Sequence, residues 1–180
     1  NLRIVSMYVD QFPKEDWSRD LAKKHGFTIH DTIAGAVTLG RKEVAVDGVL
    51  CIGEHGRYPT NARGQIEYPR RRFFEESTDV FAKYRRAVPI FSDKHLSTRW
   101  ADARWMVERA RELMCPMMAG SSIPVAWRRP SLRLPLGCAL TEAVAVGYGP
   151  FEGYGFHALE GLQCMAERRR GGETGVRAVQ

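Results

Sequence analysis

The chain has 180 residues, of which 44% are hydrophobic and 27% charged, values that fit a globular protein with one core or with part of a second. No apolar run approaches the roughly 20 residues that span a bilayer, so we expect no membrane association. The net charge of +6 comes largely from Arg70–Arg72 and Arg168–Arg170, which either meet an anionic partner or are solvated helix ends. Basic and aromatic residues are not interleaved as in RNA-binding modules, so we expect no nucleic-acid partner.

The ends and the cysteines of the chain bear on its compartment. Asn1 is followed almost directly by an apolar segment, without the charged and apolar regions of a signal peptide. We therefore expect a fragment of a longer protein, whose localisation stays unknown, with the cytoplasm as the default. The four cysteines show no CxxC spacing, which favours free thiols in a reducing compartment over a zinc site or disulfide framework.

The first part of the chain alternates predicted strands and helices. They are a strand over Arg3–Val9, a helix over Trp17–His25, an extended segment over Phe27–His30, a short helix over 33–37, a strand over Val46–Ile52, a helix over Arg71–Arg86, a strand over Val88–Phe91, a helix over Trp100–Met114 and a strand over Met117–Ala119. Asp31 or Thr32 is expected to cap the short helix. The apolar run of Val46–Ile52 predicts a strand buried on both faces. This alternation predicts right-handed crossovers and a parallel sheet.

The composition of the sequence changes after Pro124, where proline-rich segments without a clear helix or strand pattern begin. We predict a strand over Ala143–Gly147, a helix over about Gly155–Arg170 and a final strand over Thr174–Val179. The predicted domains are residues 1–124 and 125–180. The fold class is α/β, with a Rossmann-type parallel sheet that is incomplete at its amino end, followed by the beginning of an α+β domain.

Polar side chains follow the predicted strands at their carboxyl ends. Glu54 and His55 follow one strand, and Asp93–His95 follows another. Ligands of open α/β sheets bind outside the carboxyl ends of the strands, so these residues are expected to crowd one rim. Lys94 can hold a carbonyl or hydroxyl oxygen or transfer a proton, and Asp93 can hold Lys94 in place.

Three further patterns are compatible with function. Asp10 ends the first strand, where a dinucleotide-binding sheet has an acidic residue that accepts hydrogen bonds from ribose hydroxyls. His157 follows a glycine-rich segment and is either a substrate ligand, an acid–base group or a core residue. Four side chains of the rim also make a candidate metal site of histidine and carboxylate ligands, namely Glu54, His55, Asp93 and His95.

The order of motifs resembles the Gfo/Idh/MocA family of sugar and polyol oxidoreductases. Leu21–Gly26 (LAKKHG), Asp31–Ile33 (DTI) and Val46–Leu50 (VDGVL) follow the second half of the family's Rossmann domain. Asp93–His95 stands where the family has Glu-Lys-Pro, and Gly155–His157 matches its Gly-x-His. The family's glycine-rich fingerprint lies outside the chain. The resemblance covers most of the chain, and the order of the motifs is more specific than any one of them.

The resemblance implies NAD or NADP as cofactor and hydride transfer at a hydroxyl carbon of a sugar-like substrate. The implied catalytic residues are Lys94, Asp93 and His157. The implied cofactor-binding residues are Asp10, Gly53, Glu54, His55 and Lys94, and the implied substrate-binding residues are His95, Tyr154 and His157. A homo-oligomer formed through the sheet of the second domain is also expected.

Two alternatives to the dehydrogenase stay open on the sequence. Gly53–His55 replaces the family's Thr-Pro, and His95 replaces the proline of its Glu-Lys-Pro. A carboxylate and two imidazoles are therefore expected at the rim. One alternative is a metal-dependent hydrolase or isomerase that uses Glu54, His55, Asp93 and His95. The other is a catalytically silent protein that keeps the Rossmann frame and binds a sugar or nucleotide.

Overall fold

The structure is a computed structural model that describes residues 2–149 and 151–179. The chain forms two compact units, Asn1–Ala119 and Gly120–Gln180. Within the described residues, no helix is long and apolar enough to cross a membrane. The first unit is a mixed α/β structure with two small parallel sheets, in which helices follow strands in the order that the sequence predicts.

The elements of the first unit are short and close to the predicted ones. The strands are β1 (Ser6–Tyr8), β2 (Thr28–His30), β3 (Val49–Cys51), β4 (Ile90–Asp93) and β5 (Met117–Gly120). The helices are α1 (Ser18–His25), α2 (Ile33–Thr38), α3 (Arg70–Tyr84) and α4 (Trp100–Glu112). Every strand and helix predicted before Pro124 therefore has a counterpart, with ends displaced by a few residues.

The strands form two sheets within the first unit. In one sheet β1 pairs with β2 in parallel, and Met7 lies opposite Ile29. In the other, the order is β3-β4-β5, and β3 pairs with β4 in parallel, with Leu50 opposite Phe91. The predicted parallel pairing is thus confirmed, but β1 and β3 belong to different sheets.

Local signals in the sequence explain where the helices begin and end. α1 ends at Gly26, whose backbone is left-handed with φ of 71°, a conformation that glycine adopts without steric cost. α2 begins after Thr32, whose side chain accepts a hydrogen bond of 2.9 Å from the backbone N–H of Gly35. Of the two caps that the sequence allows, the structure therefore uses Thr32.

The core of the first unit lies where α2, α3 and α4 meet the strands. Phe74 and Phe81 of α3 are 0% and 1% exposed, and Met106 of α4 is 0% exposed. They pack with Ile90 of β4 in one continuous apolar cluster. α3 contacts both α2 and α4, so the cluster fixes the position of its first turn against the sheet.

The strand β3 is buried on one face only, so the prediction of two buried faces is wrong. Cys51 is buried on the side of α3, where its thiol lies beside Ser77. Leu50 and Ile52 are 66% and 55% exposed. Because successive side chains of a strand point to opposite faces, α3 covers only the Cys51 side. No described helix covers the other face of β3.

The second unit contains less regular structure than the sequence predicts. A 3₁₀ turn covers Ile123–Val125, and a π-helical turn over Phe151–Gly155 leads into α5 (Phe156–Ala166). The strands predicted over Ala143–Gly147 and Thr174–Val179 are wrong, since both segments are irregular and exposed. A strand needs a neighbouring edge for its backbone groups, and neither segment has one among the described residues.

The burial of Phe74 in the core predicts a large contribution of α3 to the free energy of unfolding of the first unit. Replacing Phe74 by alanine leaves a cavity at a fully buried position, so we expect a loss of about 3–5 kcal/mol in the free energy of unfolding. Phe12→Ala is the matched control, because Phe12 is 44% exposed and should cost well under half as much. Urea unfolding followed by circular dichroism measures both. Equal losses for the two variants would contradict the assigned core.

Candidate functional site

The candidate site is the rim at the carboxyl ends of β1, β3 and β4. Asp10 follows β1, Glu54 follows β3, and Asp93 and Lys94 end β4 or follow it. The parallel pairing of β3 with β4 brings the carboxyl ends of these two strands to the same edge. The end of β1 belongs to the other sheet, and Asp10 is joined to this region by its hydrogen bonds with Tyr58 and Arg72.

Lys94 lies between two carboxylates at the centre of this rim. Its Nζ is 2.7 Å from Oε2 of Glu54 and 2.7 Å from Oδ2 of Asp93. The side chain of Lys94 is only 13% exposed, and those of Asp93 and Glu54 are 17% and 24% exposed. The structure thus brings together three of the residues that the sequence singles out.

The backbone of Lys94 is unusual, with φ of 68° in the left-handed region. Residues other than glycine rarely adopt this backbone conformation, so contacts with neighbouring residues must stabilise it. Here the two ion pairs anchor the ammonium group while the chain leaves β4. From this backbone conformation the Lys94 ammonium group reaches both Asp93, at the end of β4, and Glu54, which follows β3.

The charge state of Lys94 follows from these contacts. Desolvation works to lower the pKa of Lys94, but the hydrogen bonds and charges of Asp93 and Glu54 outweigh it, so the pKa is raised above its ordinary value. Lys94 is consequently an ammonium ion at neutral pH. It can donate hydrogen bonds or a proton, and it is not a base under these conditions.

Asp10 lies in a hydrogen-bonded cluster at the end of β1. The hydroxyl of Tyr8 donates to Oδ1 at 2.5 Å, and that of Tyr58 donates to Oδ2 at 2.9 Å. Arg72 donates to Oδ1 at 2.5 Å. Desolvation works to raise the pKa of Asp10, but these three donors outweigh it and lower the pKa. Since a carboxylate has about four acceptor positions, roughly one is left on Asp10.

Arg70 is a residue of the rim that sequence reasoning does not assign. It is 5% exposed, its Nη1 lies 3.4 Å from Nε2 of His95, and its guanidinium lies 5.0 Å from the ring centroid of Tyr68. A Cβ added to Gly53 would approach Cγ of Arg70 to 3.1 Å. Gly53 therefore makes room for Arg70. Arg70 is accordingly not a solvated residue of a helix end, whereas the side chains of Arg71 and Arg72 are 31% and 43% exposed.

The loop between β3 and α3 is ordered by its own polar contacts. The side-chain oxygen of Asn61 accepts from the N–H groups of Arg63 at 2.9 Å and Gln65 at 3.1 Å. The rings of Tyr58 and Tyr68 meet edge to face, with centroids 5.9 Å apart. His55, which the sequence places in the cofactor site, is exposed at the beginning of this loop.

The second unit carries His157 and Tyr154, the other two predicted site residues. The ring centroids of Tyr154 and His157 are 6.3 Å apart, and Phe156 packs on His157 at 6.0 Å. Nδ1 of His157 is buried and has no hydrogen-bond partner in the described part of the chain. A buried ring nitrogen without a partner is costly, and it is available to a polar group of a ligand.

The four side chains of the candidate metal site are not arranged as metal ligands. Among the described residues, no three histidine, cysteine, aspartate or glutamate side chains are arranged to hold a metal ion. Nζ of Lys94 lies between the carboxylates of Glu54 and Asp93, where a cation would otherwise be bound. His95 is beside Arg70. These positions give the candidate metal site no support.

Comparison of the chain with protein-family models and with curated proteins gives no match. Two features of the chain therefore bear on its function: the order of the sequence motifs, and the rim at which Lys94 lies between two carboxylates.

The cluster at Asp10 predicts the titration of Tyr58. Burial and the hydrogen bond to Asp10 raise the pKa of Tyr58 to about 12. This phenol therefore stabilises the fold below pH 10, and its contribution is lost as the pH rises from about 10 to about 12. In Asp10→Asn, we expect the pKa to fall but to stay above 10.0, because burial is the larger cause.

Tyrosinate absorbance at alkaline pH measures this effect. The difference between each chain and its Tyr58→Phe derivative isolates Tyr58 from the other tyrosines. An unchanged pKa of Tyr58 in Asp10→Asn would contradict the hydrogen bond assigned to this pair.

Proposed function

We propose that the chain is part of an NAD(P)-dependent oxidoreductase that acts on a hydroxyl group of a sugar-like or polyol-like substrate. In this proposal, the first unit is a Rossmann-type nucleotide-binding domain, and the second unit begins an α+β substrate domain. The mixed α/β structure with parallel strands is compatible with such a fold. The homo-oligomer expected from the resemblance remains a prediction.

One observation carries the proposal, the ion triad of Glu54, Lys94 and Asp93. A lysine at the end of a parallel strand stands where the resembled family has its catalytic lysine. An ammonium ion that is half-buried and held by two carboxylates is a fixed donor at the rim where α/β sheets bind their ligands. The triad therefore supplies what polarisation of a substrate oxygen requires.

The residues of the rim fit a dinucleotide in part. The remaining acceptor position on Asp10 is enough for one ribose hydroxyl, since Tyr8, Tyr58 and Arg72 occupy the others. Glu54 and Lys94 would lie at the reacting end. Gly53 is a less favoured cofactor-binding residue than the resemblance implies, because Arg70 fills the space beside it. His55 is exposed and free to approach a ligand at the edge of the rim.

The chemistry of the chain's own residues follows from their charge states. A bound nicotinamide supplies or accepts the hydride. When a carbonyl is reduced, the ammonium group of Lys94 donates a hydrogen bond to the oxygen and then its proton as negative charge develops there. Asp93 and Glu54 hold Lys94 in position and keep it charged. In the reverse direction, Lys94 stabilises the alkoxide, and either carboxylate can receive the proton.

The second unit contributes His157 and Tyr154 to the proposal. His157 would bind a substrate hydroxyl through Nδ1, the buried nitrogen without a partner. Tyr154, whose ring meets that of His157 edge to face, would orient the imidazole. His95 is proposed as a substrate contact beside Arg70.

Replacing Lys94 by alanine tests the proposed role. We expect kcat to fall by about 10²–10⁴-fold, because the proton donor is lost, while the Kd for NADH or NADPH changes by less than about threefold. Turnover is measured with a panel of aldoses and polyols, and cofactor binding by nicotinamide fluorescence. Lys83→Ala on α3 is the matched control, and both quantities should stay unchanged. Equal losses of turnover and cofactor affinity would contradict the assignment.

Replacing Glu54 by glutamine tests the charge state of Lys94. The raised pKa of Lys94 places the alkaline fall of kcat/KM above pH 10.5, the ordinary value for lysine. Removing one of the two carboxylates lowers the pKa of Lys94, so this fall should move to lower pH. A pH profile of kcat/KM measures it. Glu76→Gln, which removes the carboxylate that pairs with Arg72, is the control and should leave the profile in place.

A further inference from the structure

A cavity of about 100 Å³ lies in the first unit at the beginning of α3 and α4. Its lining comes from the segments that lead into the two helices and from their first turns. A buried water molecule needs at least about 10–15 Å³ of such space, so the cavity has room for a group of several heavy atoms. Lys94 and its two carboxylates are not among the lining residues, so the cavity is distinct from the ion triad.

Three arginines and two hydroxyl groups line this cavity, namely Arg70, Arg71, Arg99, Ser97 and Thr98. Arg70 is only 5% exposed, so its guanidinium group is held in place by its surroundings. A guanidinium group can bind phosphate through two parallel N–H donors, and a serine or threonine hydroxyl can donate one further hydrogen bond. The lining therefore supplies the donors that an oxyanion requires.

The acidic groups of the lining leave an excess of positive charge. Oδ1 of Asp102 accepts from Nη1 of Arg71 at 3.0 Å, and Oδ2 lies 3.7 Å from Nε of Arg99. Asp102 is thus shared by two arginines. Glu67 is the other carboxylate of the lining, so the three arginines and two carboxylates together carry one net positive charge.

The first turns of α3 and α4 add to this positive charge. Pro69 and Arg99, which precede the two helices, make no side-chain cap hydrogen bond. The first N–H groups of an α-helix have no partner inside the helix, and its N-terminus carries roughly half a positive charge. The cavity therefore has about two positive charges in all, which complement a phosphate monoester with its charge of about −2.

Arg70 connects the cavity to the rim. Its Nη1 lies 3.4 Å from Nε2 of His95, and His95 directly follows Lys94 in the chain. Its guanidinium group also lies 5.0 Å from the ring centroid of Tyr68, which lines the cavity. A ligand with its anionic group in the cavity could therefore extend past His95 toward Lys94.

We infer that this cavity binds a phosphoryl group, held by the guanidinium groups of Arg70 and Arg99 and by the hydroxyls of Ser97 and Thr98. The group belongs either to inorganic phosphate or to a phosphorylated sugar or polyol. In the second case the inference rests on the proposed function and narrows its substrate class to phosphate esters. The binding of the phosphoryl group itself does not require the proposed redox role.

Reversing the charge of Arg99 tests the inference. The Kd for inorganic phosphate and for an aldohexose 6-phosphate is measured on the 180-residue chain by isothermal titration calorimetry and ³¹P NMR. We expect Arg99→Glu to raise both Kd values by about tenfold or more, because it places a negative charge beside the anion. The side chain of Arg99 is 71% exposed, so the fold should be retained. Arg104→Glu is the matched control on the same helix, at 67% exposure, and should change Kd by less than about threefold.

Replacing Asp102 by asparagine should have the opposite effect. It releases Arg71 and Arg99 from their shared carboxylate, so we expect phosphate to bind about threefold more tightly or better. A gain in affinity cannot arise from a failure to fold. Glu108→Gln, which removes the carboxylate that pairs with Arg104, is the control and should leave Kd unchanged.

The two phosphate probes identify the source of the phosphoryl group. Tighter binding of the aldohexose phosphate than of inorganic phosphate identifies a phosphate ester, and equal or weaker binding identifies the free ion. Either result supports the site. Three results would overturn the inference: no saturable binding of either probe, equal losses in Arg99→Glu and Arg104→Glu, or no gain in Asp102→Asn.

Turnover assays separate this inference from the proposed function. Phosphate binding that responds to the variants as expected, in a chain that reduces none of the aldoses or aldose phosphates with NADH or NADPH, would support the inference and count against the proposed function. Turnover without saturable phosphate binding would support the proposed function and overturn the inference.

Discussion

The ion triad of Glu54, Lys94 and Asp93 is the constraint on which the candidate site depends. Its two carboxylates come from the ends of neighbouring strands, so the triad ties β3 to β4 at the rim. An ammonium ion that is 13% exposed is costly to bury without partners, and each carboxylate would be left poorly compensated if Lys94 were removed. Asp93 and Glu54 consequently keep Lys94 in its charged form, and Lys94 makes both contacts from a left-handed backbone with φ of 68°.

The core determines which other side chains reach this rim. Phe74 and Phe81 fix α3 against β3 and β4, and its first turn thereby lies beside the carboxyl ends of the strands. Arg70 extends past Gly53 to His95, and Arg72 reaches Asp10, which lies 62 residues away in the chain. Apolar packing and polar geometry are coupled here, since a displaced α3 would withdraw both arginines from the rim.

The sequence was sufficient for features that depend on local signals and failed where a distant partner decides. The helix α4, a cap at Asp31 or Thr32 and the order of polar strand ends could all be predicted from short stretches. The exposure of Leu50 could not, because it depends on which face of β3 a helix covers. The burial of Arg70 depends on the glycine at position 53, and the irregular segment over 143–147 has an apolar sequence but no edge to pair with.

Asp10 shows how neighbouring residues change the role that a sequence position suggests. An acidic residue at the end of a strand is typical of ribose recognition, yet here Tyr8, Tyr58 and Arg72 take up most of its acceptor positions. About one acceptor position of this carboxylate is left, so a second ribose hydroxyl could bind only in place of Tyr8, Tyr58 or Arg72.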